Sequence, residues 1–173
     1  MENKGYLIYA FGHHFIDQAI NLYKTIRKVG DTYPIAIVVH EKDQERIKAL
    51  NLFEYVLSID TNHELFHHTS TDHEKYGIVP TLLILEHTPF DKTIVIDTDV
   101  ICVYKTDYVW SVFESKNQAV TTVGRKDNPE WHFHENKHLS KRHEMNFPET
   151  HTGIMFVDRH HPQVNEFFDL VKY

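Results

Sequence analysis

Apolar positions along the chain follow two rhythms. Unbroken apolar runs occur at Tyr6–Phe11, Pro34–Val39, Tyr55–Ile59 and Thr93–Val103. They are rich in β-branched and aromatic residues and predict strands buried on both faces, as in a parallel sheet. Between the first three lie stretches with helical spacing. Over Phe15–Lys28 the residues Ile16, Ala19, Ile20, Tyr23 and Ile26 share one face, which predicts an amphipathic helix. Asp17 is expected in its first turn, Lys24, Arg27 and Lys28 in its last, and Gly30 as its C-terminal cap. Glu41–Leu50 predicts a shorter helix. The order strand–helix–strand–helix–strand within the first sixty or so residues predicts an α/β fold.

The pattern is less regular further on. Asn62–Glu74 is polar and rich in His and reads as a loop. Val79–Glu86 predicts a helix with Pro80 in its first turn. Val109–Phe113 reads as a helical turn, Ala119–Val123 and Thr152–Asp158 as strands, and the stretch from Pro162 as a closing helix with Val164, Phe167, Phe168 and Val171 on one face. Gly124–Thr150 mixes Gly, Pro, charges and His and reads as a long loop over a site.

A chain of 173 residues with 41% hydrophobic content is expected to form one domain with a real core. A net charge of −7 argues against general nucleic-acid affinity. The lone Cys102 excludes an internal disulfide and reads as a small core residue of the Thr93–Val103 strand. Met1–Gly5 runs straight into a strand without the features of a secretory leader, and no apolar run reaches the ~20 residues of a membrane span. A cytoplasmic setting, in a bacterial, viral or host cytosol, is therefore expected. No Gly-x-Gly-x-x-Gly follows the first strand, so no dinucleotide cofactor is expected.

The chemistry concentrates where two carboxylates interrupt the fourth apolar run. Asp97 and Asp99 stand either side of Thr98. In extended chain this spacing puts both side chains on one side, about 7 Å apart. Two such carboxylates repel each other and are costly to desolvate. A hard divalent cation, Mg²⁺ or Mn²⁺, relieves both and leaves coordination positions for a phosphate.

The stretch Pro89–Val100, reading Pro-Phe-Asp-Lys-Thr-Ile-Val-Ile-Asp-Thr-Asp-Val, resembles the metal-binding segment of nucleotide-sugar glycosyltransferases with the GT-A fold. The family 8 group, which includes glycogenin and lipopolysaccharide galactosyltransferases, is similar. His151-Thr152-Gly153-Ile154-Met155 resembles a second family segment that usually begins with Asn. The resemblance implies a Rossmann-like GT-A fold, a mixed and mostly parallel central sheet flanked by helices. Residues 1–103 would form the nucleotide half and 104–173 the acceptor side.

The implied activity is metal-dependent transfer of a sugar from a nucleotide-sugar donor, a UDP-sugar foremost, to a carbohydrate or protein hydroxyl. It implies Asp97, Asp99 and His151 at the metal. Ala10, Phe11, Gly12, Asp60, Lys75, Thr98, Thr152 and Gly153 would line the donor. Asp97, Glu149 and Asp158 are candidates for the catalytic carboxylate, with Glu130 beside them, and Trp131 is a candidate for stacking on the acceptor. Family 8 members usually supply a metal-ligating His from a C-terminal His-x-x-Gly-x-x-Lys segment that this sequence lacks. His132, His134, His138 and His143 are substitutes, and a C-terminally truncated chain is the other explanation.

Two other classes compete. Asp97-Thr98-Asp99-Val100 also fits the nucleophile strand of a haloacid-dehalogenase-type phosphatase, although that strand usually comes first in the chain. A non-enzymatic domain that binds a metal or a nucleotide sugar would fit the 15 His, although no spaced ligand set stands out.

Overall fold

The computed structural model describes residues 3–59, 79–124 and 150–172. The elements run β1 (Lys4–Tyr9), α1 (His13–Lys28), β2 (Ile35–Val39), α2 (Glu41–Ala49), β3 (Tyr55–Ser58), α3 (Val79–Leu82), α4 (Ile84–His87), β4 (Lys92–Ile96), α5 (Asp107–Lys116), β5 (Val120–Gly124), β6 (Thr150–Asp158) and α6 (Val164–Lys172). The strands form a six-stranded sheet in the order β3-β2-β1-β4-β6-β5. β1 lies parallel to β2 and β4, and β2 parallel to β3. β6 runs antiparallel between β4 and β5. The expected α/β architecture, mostly parallel and flanked by helices, is the one observed.

The continuous apolar runs are explained by helices on both faces. On one side Tyr6, Ile8, Ile35, Ile37, Ile94, Ile96 and Phe156 pack with Ile16, Leu22 and Ile26 of α1, Ile47 of α2, and Trp110 and Phe113 of α5. On the other, Leu7, Ala36, Val38, Val95, Met155 and Val157 pack with Leu83 and Ile84 at the α3–α4 junction, Phe90, and Val164 and Phe168 of α6. Each such side chain contributes about 1.5–3 kcal/mol by leaving water.

α1 ends as expected at Gly30. Its φ of +77° lets Gly30 N donate to Arg27 O at 3.0 Å while Asp31 N donates to Ile26 O at 3.2 Å, the paired bonds of a Schellman motif. The helix starts at His13, so Asp17 lies beyond the first turn and Lys24 before the last.

Three expectations need correction. The fourth strand does not run to Val103: β4 stops at Ile96, and Ile101 and Val103 are 70% and 68% exposed. With no neighbouring strand to pair with, these β-branched residues do not form a strand, and Cys102 is half-buried outside the sheet. The helix expected over Val79–Glu86 is two short turns interrupted at Leu83. The turn expected over Val109–Phe113 is a ten-residue helix that buries Trp110 and Phe113.

Candidate functional site

In an open α/β sheet, ligands bind beyond the carboxyl ends of the strands, where strand order reverses direction. Here the order reverses at β1, which has β2 on one side and β4 on the other. The segments leaving these two strands, Ala10-Phe11-Gly12 and Asp97-Thr98-Asp99, therefore lie at the same crevice. Gly12 has φ +96° and ψ 161° just before α1. That conformation is essentially restricted to glycine, and a Cβ there would meet nothing within 4 Å, so the backbone angle rather than space requires Gly.

The Asp-x-Asp segment is a turn, not extended chain. Val100 N approaches Asp97 O at 3.4 Å, so the spacing argument from a strand does not apply. The turn nevertheless leaves Asp97 and Asp99 exposed and buries Thr98 between them at 8% exposure. Asp97 N donates to Gly153 O of β6 at 2.9 Å. Thr98 Oγ1 donates to Gln18 Oε1 of α1 at 2.9 Å. Expected at the donor, Thr98 instead turns its hydroxyl inward, where a nearly buried hydroxyl needs a partner.

Aromatic rings gather where β1, β2 and α4 end. The Phe11 and His40 rings lie 5.2 Å apart, Tyr9 and Phe11 6.3 Å, and Tyr9 and His87 5.7 Å. Tyr9 Oη stands 3.2 Å from His87 Nδ1. Burial pushes the Tyr9 phenol up, and the Glu86 carboxylate adds to it, so Tyr9 stays protonated.

A family described as "Mannosyltransferase putative" matches residues 3–165. The chain belongs to that family. No curated protein sequence matches it. Among solved structures, the bifunctional glycosyltransferase WbbM superposes with a TM-score of 0.66 at 13% identity, over 99% of this chain and 34% of that one. The glycosyltransferase GlyE of Streptococcus pneumoniae TIGR4 gives 0.57 at 11% identity, over 98% and 37%. Core-mannan synthase A of Aspergillus fumigatus, in an Mn/GDP form, gives 0.54 at 13% identity, over 99% and 64%. The chain thus spans between about a third and two thirds of these proteins, and at such identities the likeness is one of fold. The chain is a glycosyltransferase-family domain, and this sets aside the phosphatase alternative.

The mannosyltransferase-family chain places its other candidates as follows. Gly153 is buried at the start of β6, beside the Asp turn. His151 and Thr152 lie on the same strand, with His151 in register with Val123 of β5. Asp158 is at the far end of β6, in register with Lys92 at the start of β4, and its carboxylate stands 3.9 Å from Lys92 Nζ. Asp97 follows the other end of β4, so the sheet separates the two carboxylates by that strand's length. This removes Asp158 from the site. Asp60, Lys75, Glu130, Trp131, His132, His134, His138, His143 and Glu149 lie outside the described residues.

Among the described residues no three His, Cys, Asp or Glu converge on a point that could hold an ion. Two exposed carboxylates do fit a cation that keeps most positions for water and phosphate, the usual habit of Mg²⁺. No helix among the described residues is long and apolar enough to cross a membrane.

The sequence reading missed Gln18, His40 and His87. His40 had a signal, since it sits where a buried strand gives way to a helix. Gln18 had none beyond being a polar position on an amphipathic helix.

Proposed function

We propose that this chain is a metal-dependent transferase domain that moves mannose from a nucleoside diphosphate mannose to a hydroxyl of a glycan or protein. The carrying observation is the exposed pair Asp97 and Asp99 on a turn at the strand-order reversal of a mannosyltransferase-family chain. The fungal core-mannan synthase, described in an Mn/GDP form, favours guanosine diphosphate and manganese here over the UDP-sugar that family 8 implies. The likeness to family 8 rests on Pro89–Val100 and His151–Met155.

Sugar transfer breaks the anomeric C–O bond through an oxocarbenium-like transition state, and negative charge grows on the departing diphosphate. Bound Mn²⁺ or Mg²⁺ supplies Lewis-acid stabilisation of that charge. Asp97 and Asp99 would hold the ion. Ala10, Phe11 and Gly12 would flank the nucleobase, and Gly153 would allow close approach at the sugar. Asp60, Lys75, Thr152, Glu149 and His151 keep the roles that the family 8 likeness implies: the first three at the donor, Glu149 as the carboxylate acting on the acceptor hydroxyl, and His151 at the ion.

A thermal-shift panel of GDP-mannose and UDP-sugars, each with and without Mn²⁺, tests this. A ligand at a hundred times its Kd stabilises by about 2.7 kcal/mol, which is readily measured. The expected result is stabilisation by GDP-mannose that requires Mn²⁺ and vanishes in Asp99→Ala. Metal-independent stabilisation, or an unaffected Asp99→Ala, overturns the reading. Donor binding without turnover towards any acceptor would make the domain a binding module.

A further inference from the structure

After β4 the chain pairs with no strand until β5, yet it is not loose. Helix α1 and the loop after it hold it at three successive places. Thr98 Oγ1 donates to Gln18 Oε1 at 2.9 Å. Cys102 N donates to Thr25 Oγ1 at 3.1 Å. Thr106 donates to Asp31 Oδ2 from its backbone N at 3.2 Å and from Oγ1 at 2.8 Å. The segment is thus strapped along one side of α1.

The first strap lies inside the Asp-x-Asp turn. Asp97 is anchored on one side through its backbone N–H to Gly153 O at 2.9 Å. Thr98 is anchored on the other side through Gln18. The second end of the Gln18 amide, Nε2, lies 3.1 Å from His14 Nε2 one helical turn earlier, which fixes how the amide faces. A Val–Leu pair would fill this space at least as well as Thr–Gln. What the hydroxyl and amide add is direction, because a hydrogen bond fixes the orientation of the turn as well as its depth.

We infer that Gln18 is a positioning residue for the cation site: by accepting the Thr98 hydroxyl it sets the turn in the conformation that presents Asp97 and Asp99 together. This rests on the proposed role of those two aspartates. Without the bond the turn keeps its anchor at Gly153 but loses the one that orients its middle residue. Part of the ion's binding energy would then go into ordering the turn. Partners that orient metal ligands typically change metal affinity by about 10–100-fold.

The test is Mn²⁺ binding in the presence of GDP, followed by the electron paramagnetic resonance signal of free Mn²⁺. It compares wild type, Thr98→Val, Gln18→Leu, their double variant, Thr98→Ser and Asp99→Ala. Thr98→Val and Gln18→Leu are each expected to weaken Mn²⁺ binding by about 10–100-fold. The double variant should be no weaker than either single one. Thr98→Ser, which keeps the hydroxyl, should bind as wild type does.

A purely structural role would lower the melting temperature and leave Mn²⁺ affinity of the folded protein unchanged. That result overturns the inference, provided wild type binds Mn²⁺ and Asp99→Ala does not. Thr98→Val is nearly isosteric and stands alone if Gln18→Leu does not fold. If wild type binds no Mn²⁺, or Asp99→Ala binds as well as wild type, the reading of the two aspartates fails and takes this inference with it.

Discussion

Replacing Asp31 with Ala should cost this fold more than its place in a loop suggests. The residue is 3% exposed and its carboxylate is surrounded by donors. Tyr6 Oη donates to Oδ2 at 2.7 Å, Thr106 donates through Oγ1 at 2.8 Å and through N at 3.2 Å, and Tyr33 N donates to Oδ1 at 3.0 Å. In Asp31→Ala the Tyr6 and Thr106 hydroxyls, which already lie against each other, can pair. The N–H groups of Tyr33 and Thr106 are left without their acceptor. At about 1–3 kcal/mol for each stranded donor, plus the lost charge-assisted bonds, the expected cost is roughly 3–5 kcal/mol. That is a large share of the 5–15 kcal/mol typical of a domain, and should lower the melting point by roughly 10 °C in a chain of this size.

Urea unfolding with an unchanged slope gives the difference directly. A loss below about 1 kcal/mol would refute the reasoning, since it would mean that water or a rearranged loop replaces the carboxylate. The pH dependence supplies a second check. Burial alone would raise the Asp31 pKa, but the bonds from Tyr6, Tyr33 and Thr106 outweigh it and the net direction is down. A depressed folded pKa contributes stability above the unfolded value, lost as pH falls through the folded one. The gap between wild type and Asp31→Asn should therefore narrow below about pH 4.

Other outcomes follow from the same geometry. In Gly5→Ala the new Cβ would sit 2.5 Å from Cε2 and Cζ of the Phe90 ring, so urea unfolding should show a loss of about 1–3 kcal/mol, which Phe90→Leu should partly restore. The Cys102 thiol is pushed up, by burial first and by Asp31 as well; it should react with iodoacetamide more slowly at pH 7 than a free cysteine does. The Asp91 pKa is lowered first by the Asn3 N–H and then by His160, whose Nε2 stands 2.9 Å away. An NMR titration of His160→Ala should find that pKa partly raised, with the Asn3 bond holding it below the ordinary value.

The sequence was most legible where a residue's environment is set by near neighbours. The buried strands β1, β2 and β3, the apolar face of α1 and the Gly30 cap all follow from local patterning. The crevice between Phe11 and Asp97 follows from their positions at strand ends. Patterning failed at Ile101 and Val103, because β-branching favours a strand only where a neighbouring strand accepts it. It failed for Asp158, because only the antiparallel course of β6 shows at which end of the sheet that residue falls. Asp31 and Gln18 were illegible for a related reason. Their partners Thr106 and Thr98 lie 75 and 80 positions away, and nothing local announces a bond across that distance.

The antiparallel insertion of β6 bears on how the protein comes to exist. The parallel half, from β1 to β4, can be assembled from the first hundred or so residues as they leave the ribosome. The carbonyl that holds Asp97, on Gly153, is made 56 residues later, and closing so long a stretch is a slow, entropically opposed event. The aspartate turn should therefore reach its final geometry late in synthesis, after the strands around it have paired. A chain interrupted before residue 153 could bury much of its core and still lack that anchor.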